Sequence, residues 1–314
     1  MRSRGPDRPM PHFPWVGVIW SLLCLAGGGC ASPPRLASSA TPPWEPCSAA
    51  PQVDSRGWVL PENADFGYTI VLPGIWGSRA LDHRIVQGLV KAGTPCAIEL
   101  CDWTEGPLLL LSNLRALDRN RREAQTLARK IMAYQDRYPG RPVNLIGYSG
   151  GAAMAVLTLE ALPPERKVSS AVLLAATLAP DYDLRTATSR TERGIHSFYS
   201  LLDVPLLMVM TTAVGTSEGR HSFAAGAVGF QTSAESASDP APSAATVVQR
   251  QYTWDMLQLG HPGGHFGWTH PAFIAQWVAP LIGTLAPGDA AGEGFRHASA
   301  VNQSEPPAPQ AFFR

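Results

Sequence analysis

The stretch Gly147-Tyr148-Ser149-Gly150-Gly151 restricts this chain to a small set of folds. An apolar run, Val143-Asn144-Leu145-Ile146, precedes it, and a helix-forming run, Ala152–Leu162, follows it. A serine on a strand-to-helix turn is forced into a strained backbone, and its neighbours two positions away on each side must be small. Both are glycine here. Such a turn lifts the hydroxyl above the sheet and aims the first N–H groups of the helix at whatever lies there, which suits a nucleophile. With 29 glycines among 314 residues the pattern alone is weak. The strand before and the helix after give it weight against the plainer reading of a turn that only reverses the chain.

The remaining hydrophobic pattern alternates short apolar runs with helical ones. Tyr68–Leu72 reads as a strand ending in Pro73-Gly74-Ile75-Trp76-Gly77. Leu81, Ile85, Val86, Leu89 and Val90 fall at helical spacing, and Gly93 ends that helix. Cys96–Cys101 is the next strand. Leu117, Ala124, Leu127, Ala128, Ile131, Met132 and Tyr138 line one face of a long helix stopped by Pro139-Gly140. Ser170–Ala175, Ile195–Ser200 and Val247–Trp254 are further strands, and Pro271–Leu285 a closing helix with Phe273, Trp277 and Leu281 in register. This order predicts an α/β fold, a mostly parallel sheet with helices on both faces. Residues 213–247 lose all periodicity and read as a surface excursion that overhangs the site. There are no internal repeats.

The 25 acidic and 25 basic residues balance, so no net field favours nucleic acid. Arg2, Arg4 and Arg8 followed by apolar Val16–Ala26 read as an export segment, too short for a comfortable membrane span. Small residues lead into Cys30 as at a bacterial lipoprotein processing site, although Gly27 stands where leucine is usual; plain secretion is the alternative. The expected organisation is therefore an export segment over 1–30, a Pro/Ser/Ala-rich tether over 31–60, the domain over 61–286 and a disordered Pro/Ala/Gly tail over 287–314. The location expected is the periplasm or cell envelope, with lipidated Cys30 as the membrane attachment. Cys96 and Cys101 point to opposite faces of one predicted strand and lie too far apart to bridge each other; Cys47 could pair with either. No cysteine or histidine spacing suggests a metal.

An activated serine needs a base, and the base needs an orienting acid. Three histidines crowd Gly260–Pro271. His265 is the preferred base, since it follows the last strand on a Gly-Gly loop; His270 reads as a helix cap and His261 as a shaper of the loop. Asp203, three residues past the strand ending at Ser200, is the preferred acid, with Asp181, Asp183 and Glu218 behind it. The oxyanion donors expected are the N–H groups of Gly150 and Ile75, with Trp76 second to Ile75. Trp76, Trp103 and Trp268, with Tyr148 beside the serine, are candidate walls of an apolar acyl pocket, though aromatics at such positions also serve as core or rim.

Over about residues 65–285 the chain resembles the α/β-hydrolase superfamily. Leu72-Pro73-Gly74-Ile75-Trp76-Gly77, the Gly147–Gly151 turn and Gly263-Gly264-His265-Phe266-Gly267 carry the resemblance. Asp102-Trp103-Thr104, Ser200-Leu201-Leu202-Asp203 and Gly215–Gly229 further resemble a group of exported bacterial hydrolases. The resemblance implies a mainly parallel sheet of about eight strands, no cofactor, and the chain order Ser149, Asp203, His265. Pro73 stands where many members carry histidine. The span from Ala175 to Ile195 leaves little room for the usual cap between the sixth and seventh strands. The function implied is hydrolysis of an ester or related acyl bond in a small-molecule or lipid-like substrate. The alternative is an inactive hydrolase-fold lipoprotein that binds a ligand or envelope partner, and haloperoxidase-like or C–C bond hydrolysis is a lesser one.

Overall fold

A computed structural model of the chain describes residues 61–77, 80–106, 108–203, 211–231 and 246–283. The expected export segment, tether and tail lie outside these residues.

Six strands form one sheet: β1 (Tyr68–Leu72), β2 (Ala97–Leu100), β3 (Val143–Tyr148), β4 (Ser170–Leu174), β5 (Ile195–Tyr199) and β6 (Val247–Gln251). Their order is β2-β1-β3-β4-β5-β6, and every neighbouring pair is parallel. The expected count of about eight is therefore corrected to six among the described residues. Directly before β1, Pro61–Phe66 is a 3-10 helix: this proline-led polar segment has none of the alternation a strand needs.

β1, β3 and β4 are buried along their whole length. Their side chains alternate between two apolar layers. Ile70, Leu72, Leu145 and Leu173 face one layer, and Val71, Ile146, Val172 and Leu174 the other. Helix α1 (Ala80–Lys91) covers the second layer through Ile85, Val86 and Leu89. A short helix α2 (Leu110–Arg115) leads to the long α3 (Leu117–Arg137), which covers the first layer with the expected stripe of Ala124, Leu127, Ala128 and Ile131. Helix α4 (Gly150–Ala161) packs beside α3 and is buried on nearly all sides. Each fully buried aliphatic side chain of this kind contributes about 1.5–3 kcal/mol. Between β4 and β5 lies only the five-residue α5 (Arg185–Ser189), so no cap domain is inserted there.

Two regions depart from the sequence reading. The closing helix is one α-turn (Pro271–Phe273), a π-helical turn (Ile274–Val278) and a 3-10 turn (Ala279–Leu281). Pro280 causes this, because it has no N–H and cannot continue an α-helix. The buried face runs through Phe273, Ile274, Val278 and Ile282, with Trp277 and Leu281 only partly covered. The other region holds the expected excursion, 213–247, of which residues 213–231 pack into the domain. It holds α6 (Thr211–Val214) and α7 (Ala225–Val228). Ala225 N donates to Leu178 O (2.7 Å), Gly226 N to Ala176 O (2.8 Å), and Ser200 N to Gly226 O (3.0 Å). Small side chains let this backbone approach the ends of β4 and β5, and such contacts leave no hydrophobic period to read.

Several buried polar groups pair across the layers. Lys130 Nζ sits 2.6 Å from Glu99 Oε1, both side chains almost wholly buried, and Tyr68 OH also donates to Glu99. Asn144 on β3 donates to Gly283 O and accepts from Gly283 N, both at 2.9 Å, anchoring the end of the closing segment. Of the two cysteines left open by the sequence, Cys101 is disulfide-bonded, to a partner outside the described residues. Cys96 is a free buried thiol, which burial pushes up to about 11. No helix among the described residues is long and apolar enough to cross a membrane.

Candidate active site

The C-terminal ends of parallel strands are where α/β sheets present their sites. Ser149 stands at the end of β3 with φ 56° and ψ −118°, a strained position for a residue with a side chain. Its own N–H donates to Leu174 O (2.8 Å), and its carbonyl accepts from Ala152 N (3.0 Å). The flanking glycines are required by contact: a Cβ on Gly147 would stand 2.3 Å from Gly151 O, and one on Gly151 would stand 2.1 Å from Leu72 O.

His265 follows the Gly263-Gly264 loop after β6 and opens a 3-10 turn. Its Nε2 lies 3.0 Å from Ser149 Oγ, and its Nδ1 lies 2.6 Å from Asp203 Oδ2. Asp203 is completely buried, and Ser149 and His265 nearly so. The acid and base loops are joined: Ser200 Oγ, at the end of β5, donates to Gly263 O (2.5 Å), and Asp203 N donates to Ser200 O (3.0 Å). Three residues far apart in the chain thus meet in one hydrogen-bonded row. Tyr148, fully packed behind the imidazole, donates its hydroxyl to His265 O (3.3 Å). Burial, then the nearby Asp82 and Asp203 carboxylates, push its phenol well above its ordinary range, so it stays a donor.

The other candidates are placed elsewhere. His261 is completely buried against Trp268, and its Nδ1 accepts from Gly263 N (3.0 Å); burial pushes this imidazole down to about 4. His270 caps the turn at Pro271, accepting from Ala272 N. Asp181 pairs with Arg220 (2.5 Å) and Asp183 with Arg185 (2.7 Å), both at the surface. Glu218 accepts from Ala179 N (2.8 Å).

The loop after β1 lies across the start of α4. A Cβ on Gly150 would stand 2.4 Å from Ile75 Cγ2 and 3.4 Å from Ile75 N, so the two expected oxyanion donors are neighbours. The Gly150 N–H is one of the first four of α4, which have no partner within a helix. The loop is gripped on several sides. Gly74 N donates to Asp82 Oδ1 (3.1 Å), Trp103 Nε1 donates to Pro73 O (2.8 Å), and Asn113 Nδ2 donates to Ile75 O (2.8 Å). Asn113 sits in a leucine-rich stretch with no motif around it, so nothing local could have singled it out. Trp76 is half-buried on this loop. Trp268, expected to wall the pocket, is instead wholly buried in the core among Phe198, His261 and Phe273. Among the described residues no three His, Cys, Asp or Glu side chains gather in a way that could hold a metal ion.

A parallel sheet in this order, with the serine turn after β3, an acid after β5 and a histidine after β6, is the α/β-hydrolase fold. No family model and no curated protein matches the chain. Among solved structures, a dienelactone hydrolase-like promiscuous phosphotriesterase from metagenomic libraries is 16% identical, with a TM-score of 0.39, covering 69% of this chain and 87% of its own. The esterase domain of a Rhodothermus marinus protein is 15% identical, with a TM-score of 0.34, covering 73% of this chain and 87% of its own. Likenesses this distant carry no argument, and the fold rests on the strand order and the turn.

Proposed function

We propose that the chain is a serine hydrolase that cleaves an ester or related acyl bond. The observation that carries this reading is the row Ser149 Oγ, His265 Nε2, His265 Nδ1, Asp203 Oδ2, at 3.0 and 2.6 Å, on a strained turn. In the proposed reaction, Ser149 Oγ attacks the carbonyl carbon while His265 takes its proton. Asp203 keeps the Nδ1 proton in place and stabilises the imidazolium. The Gly150 and Ile75 N–H groups hold the oxyanion, each worth ~10²–10³ in turnover. His265 returns its proton to the leaving group, and a water, activated by the same imidazole, releases the acyl group.

Supporting an exported enzyme is the disulfide at Cys101, of a kind that persists in oxidising compartments. The proposed attachment through lipidated Cys30 is tested by the intact mass of the membrane-fraction protein, where an unmodified mature chain starting elsewhere refutes it.

A fluorophosphonate probe tests the hydrolase reading. Wild type should label, and folded Ser149→Ala should not. A folded wild type that does not label refutes the proposal and favours an inactive binding protein.

A further inference from the structure

A cavity of about 260 Å³ opens beside Gly150. Its walls come from Trp103, from Leu117 on α3, from Met154 and Leu157 on α4, and from Leu178 past β4. Several polar groups at its edge are already engaged: Asn113 grips Ile75 O, Ser217 Oγ bonds Thr177 Oγ1 (2.6 Å), and Glu218 Oε1 takes Ala179 N. Arg121 and Tyr182 also reach this edge, and Glu218 Oε2 is buried there without a hydrogen-bond partner, so what remains for an occupant is mostly apolar with one carboxylate oxygen.

The side on which the cavity lies decides its role. Ala153, Met154, Leu178 and Trp103 belong to the first apolar layer, whereas the surroundings of His265, Tyr148 and Tyr252 belong to the second. In the proposed reaction the leaving group must stay close to His265, which protonates it. The carbonyl's other substituent then points away from the imidazole, past Gly150.

We infer that this cavity is the acyl pocket and that it selects mainly apolar acyl groups of medium size. An apolar cavity of roughly 150 Å³ holds benzene. In proportion, this one takes acyl groups of roughly ten carbons, and a long fatty acyl chain exceeds it. The inference rests on the serine hydrolase reading and adds the substrate class. Leu157, half-buried on the wall, sets the depth.

The test is a series of p-nitrophenyl esters from acetate to palmitate, run on wild type, Leu157→Trp and Leu157→Ala. Wild type should peak between hexanoate and decanoate. In Leu157→Trp the kcat/KM ratio of octanoate to acetate should fall at least about tenfold, a size of effect known for one or two methylenes in an apolar pocket. In Leu157→Ala the optimum should move to longer chains. An unchanged profile in both variants, each folded by circular dichroism and labelled by fluorophosphonate, overturns the inference while leaving the hydrolase reading intact. So does a variant profile that instead follows the alcohol in a series of alkyl acetates. Wild type that neither labels nor turns over any ester overturns both.

Discussion

Replacing Asp203 by asparagine removes one charge and almost no volume. The carboxylate is completely buried and accepts from the imidazole at 2.6 Å, so an asparagine amide will occupy the same slot. If its NH₂ turns to the imidazole, Nδ1 becomes the acceptor and the proton moves to Nε2. The ring then donates to Ser149 across the 3.0 Å contact and cannot receive the serine's proton. In either amide orientation the charge that steadies the imidazolium in the proposed reaction is gone. Losses of this kind reach about 10⁴ in turnover, or roughly 5 kcal/mol of barrier. The assay is kcat for a p-nitrophenyl ester at pH 7.5, with the melting curve recorded beside it. A folded Asp203→Asn enzyme within about tenfold of wild type would show that Asp203 does not orient the base.

Two further predictions concern stability. Lys130→Met leaves the Glu99 charge buried without its 2.6 Å partner and should cost about 3–5 kcal/mol. For a domain of this size that lowers Tm by roughly 6–20 °C. Adding Glu99→Gln, which neutralises the charge and still accepts from Tyr68, should recover more than half; additive losses in the cycle contradict the argument. His261, held down to about 4 by burial, takes up a proton more readily when unfolded. Its contribution is therefore fully present above about pH 6.5 and is lost as the pH falls toward 4, on the order of 2–3 kcal/mol. NMR of the His261 ring should give a midpoint below pH 5, and a midpoint near 6.5 refutes this.

The strands were legible because Tyr68–Leu72, Leu145–Ile146 and Ser170–Leu174 are mainly apolar runs, the mark of strands covered on both faces. The long helix was legible because α3 keeps one stripe in water's shadow for six turns. The serine turn was legible because two backbone approaches closer than 2.5 Å to a virtual Cβ admit only glycine. Pro280 was visible and outweighed the periodicity that Phe273, Trp277 and Leu281 suggested. What lay beyond reading was contact between distant small or polar residues. Gly226 docking on Ala176, Asn113 on Ile75 and Asn144 on Gly283 rest on one or two hydrogen bonds with no local pattern. The choice of Cys101 over Cys96 for the disulfide likewise turns on which face each thiol meets, since Cys96 lies against Thr69.

In the proposed reaction the grip on the loop after β1 has a kinetic consequence. With Pro73 O, Ile75 O and Gly74 N each held by a different side chain, the peptide planes of that loop are already oriented before any ligand arrives. The expense of ordering those dipoles is met once, during folding, and not again at each turnover. A tetrahedral boronate adduct at Ser149 should therefore form with hardly any displacement of residues 73–77 from their resting positions.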